Sequence, residues 1–338
     1  MKLIIQIPCY NEEQLLGTTI GRLPRVLPGI DEVEWLVVDD GSTDATVQVA
    51  KARGVDHVVS HSKNLGLARA FVTGLEACLA RGADIIVNID ADNQHRAEYI
   101  PELLRPILEG RADMVVGARM IDDVEDYSAV KKVLHRIGCW AVRMASGTSV
   151  PDAPSGFRAL TREAAMRTRV YSRYTYTLET IIQAGQHGLN ITWVPIETNP
   201  AARPSRLIRS ISSYVLNCLM TIVRIFVVYR PFRFFFSLGA TLFVAGALLG
   251  IRYLWVAFVR HDPGHVQSLI LASILIGIGF QTITVAFVAD LLSVNRRLAE
   301  DIHYRACKSS FIASESGRRR DAMRDRQAGE GTGYASTL

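Results

Sequence analysis

Two aspartates one residue apart stand in Asn88-Ile89-Asp90-Ala91-Asp92-Asn93-Gln94-His95. Carboxylate and amide oxygens at such spacing suit a hard divalent cation, Mg²⁺ or Mn²⁺. A cation there would bridge a diphosphate and neutralise a leaving group. A second acidic pair, Asp39-Asp40, closes an apolar run and is followed by Gly41-Ser42-Thr43-Asp44. One of these carboxylates can accept hydrogen bonds from a base N–H or a ribose hydroxyl, while Ser42 or Thr43 suits the N-cap of a following helix. A third motif, Ile7-Pro8-Cys9-Tyr10-Asn11-Glu12-Glu13, ends an apolar run in a proline turn. Its acids then open a helix, where the helix dipole favours negative charge. The three motifs follow one another in the order that binding a nucleotide diphosphate requires.

The elements that position them read as alternating strands and helices. Residues 3–7, 35–39, 57–59, 85–89 and 114–118 are short apolar runs bounded by turn residues. Runs mostly uninterrupted by polar residues are the mark of strands buried on both faces. Helical patterns cover residues 13–22, 43–53, 65–80 and 100–109. The alternation predicts βαβ units and a mostly parallel sheet. Ligands bind at the carboxyl ends of strands in such sheets, and each acidic motif lies there.

Beyond about residue 200 the composition changes. Residues 234–251 carry no charge, apolar character continues to 259, and 266–289 is a second charge-free run of 24 residues. At about 1.5 Å per residue each run reaches across the roughly 30 Å hydrocarbon core of a bilayer. Residues 207–230 are apolar but interrupted by Arg209 and Arg224, which suits helices lying in the interface. Arg203, Arg206, Arg209, Arg224, Arg230 and Arg233 precede the first run, and Arg296 and Arg297 follow the second. The 260–265 connection is short and nearly neutral, so the positive-inside rule predicts both ends in the cytoplasm. Lys and Arg beside these runs supply much of the net +5 charge. No recognition motif accompanies that charge, so nucleic acid is not expected as a partner. The five cysteines are scattered, with no metal-site or disulfide spacing, and the N-terminus shows no signal-peptide pattern. The catalytic part is therefore expected on the cytoplasmic face of an inner or plasma membrane. From about residue 301 to 338 the Ser-, Gly-, Arg- and Asp-rich tail is expected to be disordered.

In combination, the Pro8–Glu13, Val38–Asp44 and Asp90–His95 motifs resemble those of family 2 glycosyltransferases of GT-A fold. The chain is more narrowly similar to dolichyl-phosphate mannose synthases and bacterial polyprenyl-phosphate glycosyltransferases. Ser155-Gly156-Phe157-Arg158-Ala159-Leu160 and the basic Arg203-Pro204-Ser205-Arg206 segment carry that narrower likeness. Asn93 and Arg96 depart from the subgroup's usual residues without removing a ligand, and the Gln-x-x-Arg-Trp motif of processive polysaccharide synthases is absent.

The resemblance implies an α/β, Rossmann-like GT-A domain over residues 1–205, interfacial helices over 206–232 and a two-span hairpin over 233–300. It implies that Pro8, Tyr10, Asn11, Glu12, Asp39 and Asp40 hold the base and ribose, and that Asp90 contacts the donor. Asp92 and Gln94 would bind Mg²⁺ or Mn²⁺. Arg119 would lie near the phosphates, and Arg158, Arg203 and Arg206 would face an acceptor phosphate, to which arginine bonds bidentately. Asp90, Asp92, Arg119 and Arg158 are the expected catalytic set. The implied reaction is an inverting transfer from a nucleotide sugar, UDP-linked in preference to GDP-mannose, to a polyprenyl phosphate. Two spans per protomer suggest a homo-oligomer. Transfer to another lipid-linked glycan, or a non-catalytic membrane scaffold, are the alternatives.

Overall fold

The computed structural model of the chain describes residues 1–120, 129–170, 176–200, 220–221, 223–259 and 266–331. Its element order is β1 (Lys2–Cys9), α1 (Leu16–Ile20), β2 (Glu32–Asp39), α2 (Thr46–Ala52), β3 (His57–Ser60), α3 (Leu67–Ala80) and β4 (Ile85–Asn88). A single 3₁₀ turn, Ala97–Tyr99, leads into α4 (Ile100–Leu108) and β5 (Met114–Arg119). Then come α5 (Ala129–Ser146), β6 (Arg158–Thr161), α6 (Arg162–Arg167), α7 (Thr177–Gln186) and β7 (Ile191–Ile196). Two long helices follow, α8 (Pro231–Val259) and α9 (Val266–Gly331). By contacts the chain forms two compact units: Met1–Cys139, Ser146–Ser205 and Glu300–Leu338 make one, and Trp140–Ala145 with Arg206–Ala299 the other.

The first unit is built on a seven-stranded sheet ordered β3-β2-β1-β4-β6-β5-β7. β6 is antiparallel to both β4 and β5, and the remaining pairings are parallel. Alternation along β1 divides the core. Leu3, Ile5 and Ile7 face Leu16, Ile20, Leu103 and Ile107, whereas Ile4 belongs with Leu36, Val38, Phe71 and Leu75. Both faces are covered, which is why the central strands show no polar alternation. The five parallel strands expected from the apolar runs are present. β6 and β7 were not expected. β6 is four residues long and carries an arginine, and β7 contains Pro195, tolerated because β7 is the edge strand. Helix α2 begins at Thr46, beyond the expected Ser42 or Thr43 cap. Asp44 instead accepts from the Thr46 backbone N–H at 3.0 Å.

In the second unit, α8 and the apolar part of α9 are each long and apolar enough to cross a membrane. Pro231 opens α8, where its missing N–H costs nothing. The two helices meet through glycines. A Cβ on Gly239 would lie 2.8 Å from the Gly279 carbonyl, and one on Gly279 would lie 2.6 Å from the Phe243 backbone nitrogen. Small residues at a crossing let helices approach where lipid offers no hydrophobic drive to associate. Elsewhere α8 and residues 266–302 of α9 expose Leu, Ile, Val and Phe.

The tail differs from expectation, for α9 continues as helix to Gly331. Residues 301–331 contain no proline and include six Arg and four Ala, which favour a helix. Within the first unit Tyr304 also fastens this extension: its hydroxyl donates to Glu163 Oε1 at 2.6 Å, and the Arg167 guanidinium lies 4.1 Å above its ring. The interfacial segment over 206–232 falls largely outside the described residues, although 223–229 are helical.

Gly279→Leu should force α8 and α9 apart and lower the thermal unfolding midpoint of the detergent-solubilised chain. The overpacking cost is on the order of 1–3 kcal/mol. Gly277→Leu, where an added Cβ meets nothing within 4 Å, should leave the midpoint near wild type.

Candidate active site

The carboxyl ends of β1, β2 and β4 gather the three acidic motifs. At the end of β1 the backbone turns at Asn11, which has φ 52°. Its N–H donates to Ser42 Oγ and its Oδ1 accepts from the Thr43 N–H, both at 2.9 Å. The Glu12 N–H donates to Thr46 Oγ1, and the Ala45 N–H donates to Glu13 Oε2. The first two motifs therefore form one hydrogen-bonded rim. Gly41 is required there: at φ 73° it passes so close to residues 63 and 64 that a Cβ would lie 2.5 Å from the Lys63 carbonyl carbon. Cys9 lies beneath this rim, and burial pushes its thiol far above the ordinary range, so it is no nucleophile.

The two aspartates ending β2 divide their work. Asp40 is buried, with Oδ1 accepting from the Leu65 N–H at 2.9 Å and Oδ2 from the Gly66 N–H at 2.8 Å. His61 Nδ1 lies 2.8 Å from the same Oδ1, and its Nε2 lies 3.0 Å from Thr73 Oγ1. Asp40 thus organises the 61–66 loop. Asp39 receives one bond, from the Ser42 N–H at 3.0 Å, and is the nucleotide-facing candidate of the pair.

The third motif is a tight loop after β4. Asn93 sits at φ 59°, and the Gln94 N–H donates to Asp92 Oδ1 at 3.0 Å. The segment after β7 clamps the loop from outside. Asn199 donates its amide to the Asn93 carbonyl and its N–H to the Gln94 carbonyl, each at 2.8 Å. From within, Thr19 Oγ1 donates to the Ala91 carbonyl at 2.9 Å. Burial and the neighbouring Asp90 charge both raise the Asp92 carboxyl above its usual value. Like charges crowded together in this way favour a counter-cation. His95 was not singled out by sequence. It is buried, stacks on Phe157 at 5.3 Å, and brings Nε2 to 3.5 Å from Asp90 Oδ2, with its Nδ1 lacking a hydrogen-bond partner.

Below this loop lies a buried polar network. Gln6 Nε2 donates to Asn88 Oδ1 at 2.8 Å. Asn88 Nδ2 donates to the Gly156 carbonyl at 2.8 Å and the Tyr176 hydroxyl at 2.9 Å. Tyr176 stacks on Phe71 at 3.9 Å. Gly156 passes directly under Asp90: a Cβ there would lie 2.8 Å from both Asp90 Oδ2 and the Tyr176 hydroxyl. The signal for this network was available in the sequence, as Gln6 and Asn88 are polar residues inside otherwise apolar runs.

Two of the expected arginines lie among the described residues. Arg158 was expected to face an acceptor phosphate, yet it is completely buried. Its Nε donates to the Ser155 carbonyl at 2.9 Å, Nη2 to the Ala153 carbonyl at 2.8 Å, and Nη1 to Thr180 Oγ1. Burial lowers its pKa to about 10, which still leaves it charged at neutral pH. Arg158 therefore fixes the 153–157 loop from inside. Arg119, at the end of β5, makes a bidentate pair with the buried Asp152, at 2.8 Å through Nε and 3.2 Å through Nη2. His135 Nε2 lies 3.0 Å from the same carboxylate. Burial would push the His135 pKa down, but the bond to Asp152 outweighs it and raises the pKa to about 9. Asp152 is held far below the carboxylate range because its bonds to His135 and Arg119 overcome burial. Arg203 and Arg206 lie outside the described residues.

A Rossmann-like sheet with acidic motifs at three strand ends and a clamped Asp-x-Asp loop defines a GT-A glycosyltransferase. The sequence profile of Glycosyl transferase family 2 matches residues 4–169, and the chain belongs to that family. It is 31% identical over 206 residues to the undecaprenyl-phosphate mannosyltransferase of Micrococcus luteus, covering 58% of this chain and 83% of that one. It is 30% identical over 216 residues to the UDP-N-acetylglucosamine–dolichyl-phosphate N-acetylglucosaminyltransferase of Methanococcus voltae, covering 57% and 83%. Among solved structures it resembles glucosyl-3-phosphoglycerate synthase of Mycobacterium tuberculosis in complex with Mn²⁺, uridine diphosphate and phosphoglyceric acid. That likeness has a TM-score of 0.52 at 25% identity, over 65% of this chain and 78% of the other.

Two outcomes follow from the site. Gly156→Ala should push Asp90 off its position and reduce kcat/KM about 100-fold, with circular dichroism unchanged, since a displacement of about 1 Å is enough for that loss. The raised His135 pKa stabilises the fold fully below the unfolded value of about 6.5. That contribution is lost as pH rises through about 9. The melting temperature should therefore fall between pH 7 and pH 10, by an amount set by at most about 3 kcal/mol. The fall should flatten in His135→Gln.

Proposed function

We propose that this chain is an inverting polyprenyl-phosphate glycosyltransferase acting at the cytoplasmic face of a membrane, with a UDP-linked hexose as its preferred donor. The observation that carries the reading is the Asp90–Asp92 loop, two crowded carboxylates at the end of β4, in a chain that also has two span-length helices. Both relatives described above are named for transfer to a polyprenyl-type phosphate, which supports the acceptor class. The Methanococcus relative is named for a UDP-linked donor and the Mycobacterium structure holds uridine diphosphate, which supports uracil over guanine.

The donor set fits a divalent cation. Asp92 and Gln94 offer oxygens, with Asp90 adjacent. No cluster of three His, Cys, Asp or Glu groups occurs among the described residues, so diphosphate oxygens and water would complete the coordination. Mg²⁺ keeps such mixed shells readily, Mn²⁺ was bound in the Mycobacterium structure, and either ion suits these ligands. When bound, the ion supplies charge neutralisation to the departing nucleoside diphosphate.

The chain's own residues do the rest. Asp39 and the Tyr10–Glu12 rim orient the nucleotide, and Asp90 positions the sugar above the Gly156 carbonyl layer. A phosphomonoester has a second pKa near 6 and is mostly dianionic at neutral pH. Such an acceptor is already a nucleophile, so a strong general base is not needed. The anomeric C–O bond to the diphosphate breaks as a phosphate oxygen forms the new bond from the opposite face, inverting the centre. Arg119, with Arg203 and Arg206, would offset repulsion between the two phosphates.

The test uses purified full-length protein with polyprenyl phosphate, Mg²⁺ or Mn²⁺, and a panel of radiolabelled UDP- and GDP-sugars. One UDP-hexose should label the organic-extractable lipid, and chelation should abolish the label. Asp92→Ala should lower the rate about 100-fold, as expected for loss of a metal ligand. Labelling from GDP-mannose alone would replace the donor assignment. Nucleotide binding without lipid labelling from any donor would overturn the acceptor.

A further inference from the structure

The loop that carries Asp92 and Gln94 has little regular structure of its own. Between the end of β4 at Asn88 and the 3₁₀ turn at Ala97 it forms one isolated antiparallel bridge, His95 with Thr198. Asn93 takes the left-handed conformation at φ 59°, which asparagine adopts more readily than a branched or bulky residue. Two successive carbonyls, those of Asn93 and Gln94, are taken by Asn199, through its side-chain amide and its backbone N–H, each at 2.8 Å. The Gln94 N–H donates to Asp92 Oδ1 at 3.0 Å. The peptide groups on both sides of Gln94 are therefore fixed. One of them bonds the carboxylate that would share its cation, and both bond Asn199.

Arg96 fastens Asn199 in turn. Its Nε donates to Asn199 Oδ1 at 3.3 Å, and its Nη1 donates to Glu197 Oε2 at 2.6 Å. A guanidinium only donates, so it fixes which end of the Asn199 amide is oxygen and leaves Nδ2 turned to Asn93. The side chains of Arg96 and Glu197 are 38% and 69% exposed. An ion pair this exposed adds little to stability, so its effect lies in orientation. Arg96 and Asn199 also line an open cleft with Arg22, Glu98, Tyr99 and Glu102, so shortening either one leaves no void in the core.

We propose that Arg96 and Asn199 are positioning residues that set the affinity of the Asp92–Gln94 loop for its divalent cation, with Arg96 acting through Asn199. The proposal rests on the metal-dependent reading of this loop given above. Groups that orient metal ligands from outside are worth about 10–100-fold in metal affinity. For Arg96, charge alone predicts the opposite sign, since removing a cation beside a cation site tightens binding.

The test adds Mn²⁺ stepwise to purified full-length protein with UDP, and in a parallel series with GDP, and follows free Mn²⁺ by electron paramagnetic resonance. Asn199→Ala should weaken Mn²⁺ binding about 10-fold. Arg96→Ala should weaken it too, against the Coulombic sign. Arg96→Gln, which keeps a donor for Asn199 Oδ1, should recover most of that loss. The double variant Arg96→Ala/Asn199→Ala should bind no more weakly than Asn199→Ala, because Arg96 then has nothing to orient. In the transfer assay the single alanine variants should need more Mn²⁺ for half-maximal rate, with kcat at saturating Mn²⁺ near wild type. Wild-type Mn²⁺ affinity in Asn199→Ala would overturn the proposal, as would tighter binding in Arg96→Ala or additive losses in the double variant. Should Asn199→Ala lose its thermal transition, Arg96→Ala and Arg96→Gln decide alone, since they alter only an exposed pair. Wild-type protein that binds no Mn²⁺ with either nucleotide would overturn the metal reading and this proposal together. Normal wild-type binding that the variants leave unchanged would sink this proposal alone.

Discussion

The hydrogen bonds of Asn88 are the constraint on which the rest of the site depends. Asn88 sits in the fourth strand, buried on both faces, with Gln6 on one side and Gly156 and Tyr176 on the other. A buried amide without partners costs a few kcal/mol, so each member of this network is held by the others. The consequence reaches the surface within two residues. Asn88 fixes where β4 stops, Gly156 fixes the floor under Asp90, and the Asp90–Asp92 loop is launched from that point. An apolar residue at 88 would pack a strand equally well and leave the loop without a register.

Charge is buried twice more around the same loop, for the same end. Arg158 is enclosed with carbonyls and a hydroxyl as its acceptors, and Asp152 with Arg119 and His135. Desolvating a charge is expensive, and burying a pair seldom gains stability over an apolar alternative. What these charges provide is position. Three directed donors from one guanidinium hold the 153–157 loop more sharply than apolar packing could. The phosphate-binding chemistry of arginine is used here on backbone carbonyls.

That use explains what the sequence could and could not convey. The parallel strands were legible because residues 3–7, 35–39 and 85–89 are almost wholly apolar, a pattern that two-sided burial produces. That Asp39 and Asp90–Asp92 stand at strand ends was legible because they directly close or follow those runs. The burial of Arg158 was not legible because residue type tells nothing of burial, and two of its partners are backbone carbonyls that no motif encodes. The surroundings of Asp40 were hidden likewise: its partners, the N–H groups of Leu65 and Gly66, lie 25 and 26 residues away. His135 and Asp152 stayed hidden because an ion cluster assembled from a helix and a loop leaves no spacing to read. The tail misled for a different reason, since composition measures the tendency to collapse and α9 needs only an existing helix to extend from and a few anchors such as Tyr304.

The architecture answers a problem of dimension. A nucleotide sugar is soluble and strongly anionic, whereas a polyprenyl phosphate cannot leave the bilayer. The reacting groups must meet within about 3.5 Å, and both carry phosphate charge. A soluble GT-A domain alone would find its acceptor only by chance encounters at a surface. In the first unit the acidic motifs stand at the ends of β1, β2 and β4, and helix α5 carries the buried His135. His135 holds the carboxylate that orients Arg119, so the position of that guanidinium is tied to α5 through two side chains.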